Sequence, residues 1–156
     1  MATNEPNPVL NAFFDDLVRC ETRLYNAVGE RLRVEHGLGA SQFEFLRYFR
    51  DHPRSRVADT ATYFAAGVGA ISKGVDRLEA RGWVVRDPNP ADGRSSLVSL
   101  TSTGAELVAR AERTFSGYID ELLSATFSSE QITTAGRALA VLRSSLEHER
   151  IGLPVG

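Results

Sequence analysis

Apolar side chains recur at helical spacing from the start of the chain. Val9, Leu10, Phe13, Phe14, Leu17, Leu24, Val28 and Leu32 line one face of a long first helix, and Gly37 supplies its C-cap. Ser41 with Glu44 reads as a capping box for a second helix that His52-Pro53 ends. Val57 to about Phe64 predicts a short third helix. After the turn AAG a fourth carries Val68, Ile71, Val75 and Leu78 on one face until Gly82. Two short helices around a glycine turn predict a helix-turn-helix.

From Trp83 the period shifts towards two. WVVR and SLVSL are rich in β-branched and aromatic residues, and the DPNPADGRSS between them is turn chemistry, so a β-hairpin with a long tip is expected. Helical spacing then returns. Thr103 and Glu106 read as the capping box of a fifth helix to about Ala125, and Ser128 with Gln131 opens a sixth that carries Ile132, Ala135, Leu139, Leu142 and Leu146. The fold class predicted is mainly α with a small β-hairpin wing: a winged helix-turn-helix module at 38–101, flanked by long helices at 9–36 and 102–148. A module of that size covers little of the flanking apolar faces, which points to a second subunit on them.

Composition narrows the class. The 156 residues are 42% hydrophobic and 24% charged, as expected of one globular domain, and no stretch approaches a membrane span. MATNEPNPVL has neither a basic start nor an apolar core of a secretion signal, and a lone cysteine forms no internal disulfide, so a cytoplasmic location without membrane contact is expected. The net charge of -2 hides an uneven distribution: residues 47–94 hold nine basic and six acidic side chains, while the remainder carries -5. A basic centre between acidic helices fits a nucleic-acid binder with a separate scaffold.

Candidate chemistry follows from these elements. With Ile71 at the centre of the apolar face of helix 4, Gly69, Lys73, Arg77 and Ala80 fall on the opposite side, so small residues and cations face outward as major-groove entry requires. Ser72, on the same helix, and Ser95, on the wing, complete the candidate DNA contacts. Arg94 at the hairpin tip is placed to enter a narrow minor groove. An aspartate beside phosphate is repelled, so Asp92 is read as a wing-positioning residue, with Arg77 its expected partner. A solvated helix face and a plain Asp-Gly turn are the bland alternatives for these residues.

The stretches LGASQFEFLRYFRDHP, SKGVDRLEARGWVVR and DGRSSLVSLTSTG resemble the MarR family of winged-helix transcriptional regulators, whose pattern is D-R-L-E-x-x-G-hydrophobic-V-x-R followed by D-x-R-x-x-x-V-x-L-T-x-x-G. Asp76, Arg77, Leu78, Glu79, Gly82, Val85, Arg86, Asp92, Arg94, Val98, Leu100, Thr101 and Gly104 match in register. The resemblance implies an obligate homodimer on double-stranded DNA, a recognition helix at about 67–81, a wing at about 84–100 and Arg94 in the minor groove. It further implies a repressor released by a small, often aromatic, anionic effector, for which Phe14, Tyr25, Phe45 and Tyr48 with Arg19, Arg23 or Arg47 are candidate pocket residues. Some members of the family sense peroxide through a lone thiol on the first helix, which makes Cys20 the alternative sensor. A non-specific architectural DNA binder is a further alternative, opposed by the acidic net charge.

Four features depart from the family. AAGVGA stands where serine or threonine is usual, so the operator sequence does not carry over, and Thr60 replaces a leucine. Gly74 sits inside helix 4 at a cost of about 1 kcal/mol relative to alanine, and the wing has DGR where a second basic residue is common; these two are expected to weaken DNA affinity. No catalytic site, metal or cofactor is expected: His36, His52 and His148 lack ligand spacing, Asp15-Asp16 reads as a solvated pair, and nucleophile and phosphate-loop motifs are missing.

Overall fold

The computed structural model describes residues 5–155, so the first four residues of the N-terminus discussed above lie outside it. The elements run α1 (Pro8–His36), α2 (Ala40–Asp51), β1 (Ser55–Arg56), α3 (Val57–Tyr63), α4 (Val68–Ala80), β2 (Val84–Pro88), β3 (Ser96–Leu100), α5 (Ser102–Ser124) and α6 (Ser129–His148). Among the described residues six helices and a small antiparallel sheet of order β1-β3-β2 make the expected winged helix-turn-helix with long flanking helices.

Asn7 caps α1 through its side-chain oxygen, which accepts from the amides of Val9 and Leu10 at 3.0 and 3.3 Å, and Pro8 occupies the first turn where its missing N–H costs nothing. Gly37 closes the helix in the left-handed region at φ 64°, and the fully buried Leu38 then turns the chain into α2. The capping box expected at Ser41 is displaced. Gly39 is the N-cap, its amide donates to Gln42 Oε1 at 2.9 Å, and Glu44 instead pairs with Arg47 at 3.2 Å. The cap of α5 is displaced in the same way, from Thr103 to Thr101. Thr101 Oγ1 accepts from the Gly104 amide at 3.1 Å and donates to Gly82 O at 2.7 Å, which ties the helix start to the end of α4. Ser128 and Gln131 cap α6 as expected.

Between α2 and α3 lies a strand the sequence did not reveal. Ser55 pairs with Val98 and Arg56 with Leu97, so β1 adds to the outer side of β3, while Val84 to Pro88 face Leu100 to Ser96 in the hairpin. Thr60, in place of a leucine, is fully buried and satisfies its hydroxyl on Arg56 O at 3.1 Å.

The core lies in the winged module, where Phe43, Leu46, Phe49, Ile71, Val75, Leu78 and Val98 meet Leu32 of α1 and Val108 of α5. Two glycines are fixed by close approach. A Cβ on Gly104 would stand 2.0 Å from Trp83 O, and one on Gly74 would stand 2.5 Å from the Phe45 ring. Gly74 is thus a packing contact between α4 and α2, a role beyond the local helix penalty read from sequence. Outside this core the picture reverses: Val9, Leu10, Phe13 and Phe14 are each more than half exposed, and α6 has no buried residue.

Candidate nucleic-acid interface

Recognition surfaces are built where α3, α4 and the wing converge. Ala65 in the left-handed region at φ 48° turns the chain between the two helices, and α4 then buries Ile71, Val75 and Leu78. Val68 does not follow the apolar face; at the first turn it protrudes and is 55% exposed. Gly67 caps α4 without a side-chain bond, and a Cβ added at Gly67 or Gly69 would meet nothing within 4 Å. The leading end of α4 is therefore low and open, with Lys73 and Arg77 exposed behind it.

A second tie fixes the wing to this helix. Arg86 on β2 donates to Asp76 Oδ1 at 2.6 Å and to Ser72 O at 3.1 Å, so the backbone of Ser72, a candidate contact, is engaged by the wing strand. At the tip, Asn89 Oδ1 accepts from Ala91 N at 3.0 Å and Asp92 Oδ1 from Arg94 N at 3.0 Å, two side-chain turns in series. Ser95 closes the tip by accepting from the Asn89 amide at 2.9 Å, which sets its hydroxyl in the scaffold. Among the described residues no hydrogen bond or ion pair joins Asp92 to Arg77, contrary to the expected partnership. Asp92 holds the backbone of Arg94 itself, and its charge acts on Arg56. The Arg56 guanidinium is held above its ordinary value chiefly by the hydrogen bond to Asp59, with Asp92 a smaller contributor.

Charge across the module is selectively cancelled. Arg47 and Arg50 are tied to Glu112, Arg56 to Asp59 and Arg86 to Asp76, while Arg81 lies over the Trp83 ring at 4.3 Å. Among the described residues of the module Arg54, Lys73, Arg77, Arg81 and Arg94 have no acidic partner, and of these Arg81 is covered by the Trp83 ring. Lys73, Arg77 and Arg94 are the outward cations of α4 and the wing tip, an arrangement fitted to phosphate and base edges.

The candidate pocket residues do not converge. Phe14, Arg19 and Arg23 are exposed along α1. Tyr25 lies at a cavity of about 230 Å³ between α1, α2 and α5, where burial first and then Glu44 and Glu21 raise its hydroxyl pKa. Phe45 covers Gly74 and packs on Phe64 at 5.1 Å, and Arg47 is held by Glu44 and Glu112 with its guanidinium 4.9 Å from the Phe115 ring. Tyr48 faces a different, larger cavity of about 860 Å³ beside α6. Cys20 is exposed on α1. Sequence reasoning missed Arg86 and Asp76 as the wing anchor, although both stand in the quoted motif.

The family model described as "MarR family" matches residues 36–95, the stretch that holds α2 through the wing tip. Over that stretch the chain is similar to the MarR family of winged-helix transcriptional regulators. MarR relatives span the match from several bacteria. The multiple antibiotic resistance protein MarR of Escherichia coli is 28% identical over 95 residues, covering 61% of this chain and 66% of that protein. The transcriptional repressor NicR of Pseudomonas putida is 33% identical over 92 residues, covering 59% of this chain and 58% of NicR. Each match thus spans less than two thirds of the curated relative. The MarR fold extends further than the sequence match: the regulator Sco3205 of Streptomyces coelicolor, solved in complex with DNA, superposes with a TM-score of 0.83 at 22% identity over 97% of this chain and 98% of that one. No helix among the described residues is long and apolar enough to cross a membrane.

Proposed function

We propose that this protein is a cytoplasmic transcriptional repressor that binds a pseudo-palindromic operator in double-stranded DNA as a homodimer and is released by a small effector. The observation that carries the reading is the selective cancellation of charge: among the described residues Lys73, Arg77 and Arg94 have no acidic partner, while Arg47, Arg50, Arg56 and Arg86 are tied to acids. Gly67 and Gly69 leave the leading end of α4 low enough to approach a groove floor. Asp92 orders the tip so that Arg94 leaves it in a fixed direction. Support comes also from relatives, since Sco3205 and a MarR variant of Escherichia coli were solved with DNA, the latter with operator DNA, and NicR is named a repressor.

The dimer reading rests on unburied apolar surface, at Val9, Leu10, Phe13 and Phe14 of α1 and Leu139, Leu142 and Leu146 of α6. Two-fold symmetry in the protein would be mirrored in half-sites about 10 bp apart. Selection of bound DNA from a random pool, with sedimentation of the free protein, tests both. A ~17 kDa species alone at micromolar concentration, or equal affinity for a lone half-site and a full site, would sink the reading.

Release follows if an effector binds more tightly to a conformation whose recognition helices no longer match the groove spacing. The exposure of Cys20 gives the thiol reading a direct test: peroxide should free the wild-type protein from DNA and spare Cys20→Ser, and equal responses eliminate it.

A further inference from the structure

Of the 18 lysine and arginine residues in the chain 17 are arginine, and Lys73 is the one lysine. It stands exposed on the outward face of α4, where an arginine would meet phosphate at least as well through its planar fork of donors. What a lysine adds there is chemistry. A guanidinium stays protonated, whereas an ε-amine that has given up its proton is a nucleophile, and on taking an acyl group it loses its charge.

The surroundings of Lys73 suit that reaction. Asp76, three residues on, is engaged by Arg86 at 2.6 Å, and among the described residues no carboxylate holds the Lys73 ammonium. Gly69, one turn earlier, has no side chain, and a Cβ there would meet nothing within 4 Å, so the approach from that side is open. Arg77 stands one turn later, exposed and likewise without an acidic partner among the described residues. Residues four apart on a helix have Cβ atoms about 5–6 Å apart, so a nucleophilic amine lies beside a guanidinium fitted to phosphoryl oxygens.

We propose that Lys73 is a site of acylation by an acyl phosphate whose phosphoryl group Arg77 holds. Unprotonated Nζ attacks the carbonyl carbon and the N–C amide bond forms. The C–O bond to the phosphoryl group breaks, inorganic phosphate leaves with that oxygen and its electron pair, and the proton released from nitrogen passes to solvent; nothing is oxidised or reduced. The consequence for regulation rests on the operator reading above: acylation removes one cation from the face of α4 and adds bulk beside it, so DNA binding weakens.

Reaction of the full chain with acetyl phosphate tests the site, with Nα-acetyl-lysine amide in the same tube as a reference amine and peptide mass spectrometry separating Lys73 from the terminal α-amine. Lys73 should react roughly tenfold faster than the reference, the scale of one charge-assisted contact. Arg77→Gln, a change at an exposed position, should bring it down to the reference rate. N-hydroxysuccinimidyl acetate, a neutral donor with no phosphoryl group, should acetylate Lys73 equally fast in both proteins, which also shows that the variant is folded. Acetyl phosphate reacting at Lys73 no faster than at the reference, or at the same rate with and without Arg77, overturns the proposal. For the consequence, the acetylated protein should bind selected DNA roughly tenfold more weakly, with a salt slope lower by about one unit, and Lys73→Gln should reproduce this. Lys73→Arg, which has no ε-amine, should bind DNA equally before and after the same treatment. Unchanged DNA affinity on full acetylation of Lys73 sinks the regulatory consequence alone. Failure of the untreated protein to bind any DNA defeats the operator reading and leaves the acylation site standing.

Discussion

Arg86 and Asp76 are joined at 2.6 Å across the gap between the wing and the recognition helix, although the arginine is only 24% exposed and the aspartate 65%. The same guanidinium also takes the carbonyl of Ser72, which makes the arginine the more costly partner to remove. We expect Arg86→Met to destabilise by about 1–2 kcal/mol, from the loss of its two charge-assisted bonds, and Asp76→Asn by less than about 1 kcal/mol because that side is solvated. Urea unfolding of the two variants and the double mutant measures their coupling. Equal losses from the two single changes would deny the asymmetry.

Gly74 and Phe45 form a second pair whose removal has a defined sign. Alanine is the better helix former by about 1 kcal/mol, yet the Cβ would meet the ring at 2.5 Å, so Gly74→Ala should be destabilising by about 1–3 kcal/mol. Phe45→Leu in that background should recover part of the loss. A stabilised Gly74→Ala protein in thermal melts would show that helix propensity decides at this site.

At the wing tip, charge and geometry make opposite predictions. Asp92→Ala removes the acceptor for the Arg94 amide, so DNA binding should weaken although a negative charge is lost; Asp92→Asn keeps an oxygen there and should bind as well as wild type or better. Arg94→Ala should lose most affinity on sites with A·T-rich flanks, while Lys73→Ala should weaken all sites alike and lower the salt slope by about one unit. Binding isotherms at several salt concentrations decide this. Tighter binding by Asp92→Ala removes the wing mechanism.

Acid should reach one ion pair in a known direction. Asp59 accepts from Arg56 Nε and Nη2 at 2.9 and 2.7 Å, and that hydrogen bonding first, then the arginine charge, holds its carboxyl below the ordinary 3.8. A depressed native value means that the contribution is complete above the ordinary value and fades as pH falls through the native one. Titration followed by NMR should find Asp59 below 3.8 in the wild type and close to it in Arg56→Gln. The same midpoint in both proteins would refute the pairing.

Local signals were legible in the chain, and tertiary ones were not. Gly37, Ser128 and the alternating hairpin carry their meaning within a few residues, and the helices and wing follow from them. Thr101 and Thr103 both stand before α5, and the choice between them is made by Gly82 O and Trp83 O, which sequence spacing does not contain. β1 has two residues and no period to detect. Among the candidate contacts, the outward placement of Lys73, Arg77 and Arg94 was readable from helical phase and turn chemistry. The expected Asp92–Arg77 pair joined two residues by charge alone, and the turn geometry of the tip gave Asp92 a nearer partner in its own backbone.

Glycines in and just before the recognition helix divide into two kinds with different histories open to them. Gly74 is pinned under Phe45, while at Gly67 and Gly69 a side chain would enter open space. Serine, asparagine or glutamine can therefore be introduced at the leading end of α4 without repacking the fold, and each adds a hydrogen-bonding group there. With α4 in the major groove, as proposed above, target preference would be evolvable one substitution at a time, so that gene duplication could yield regulators of divergent target sequence on an unchanged scaffold.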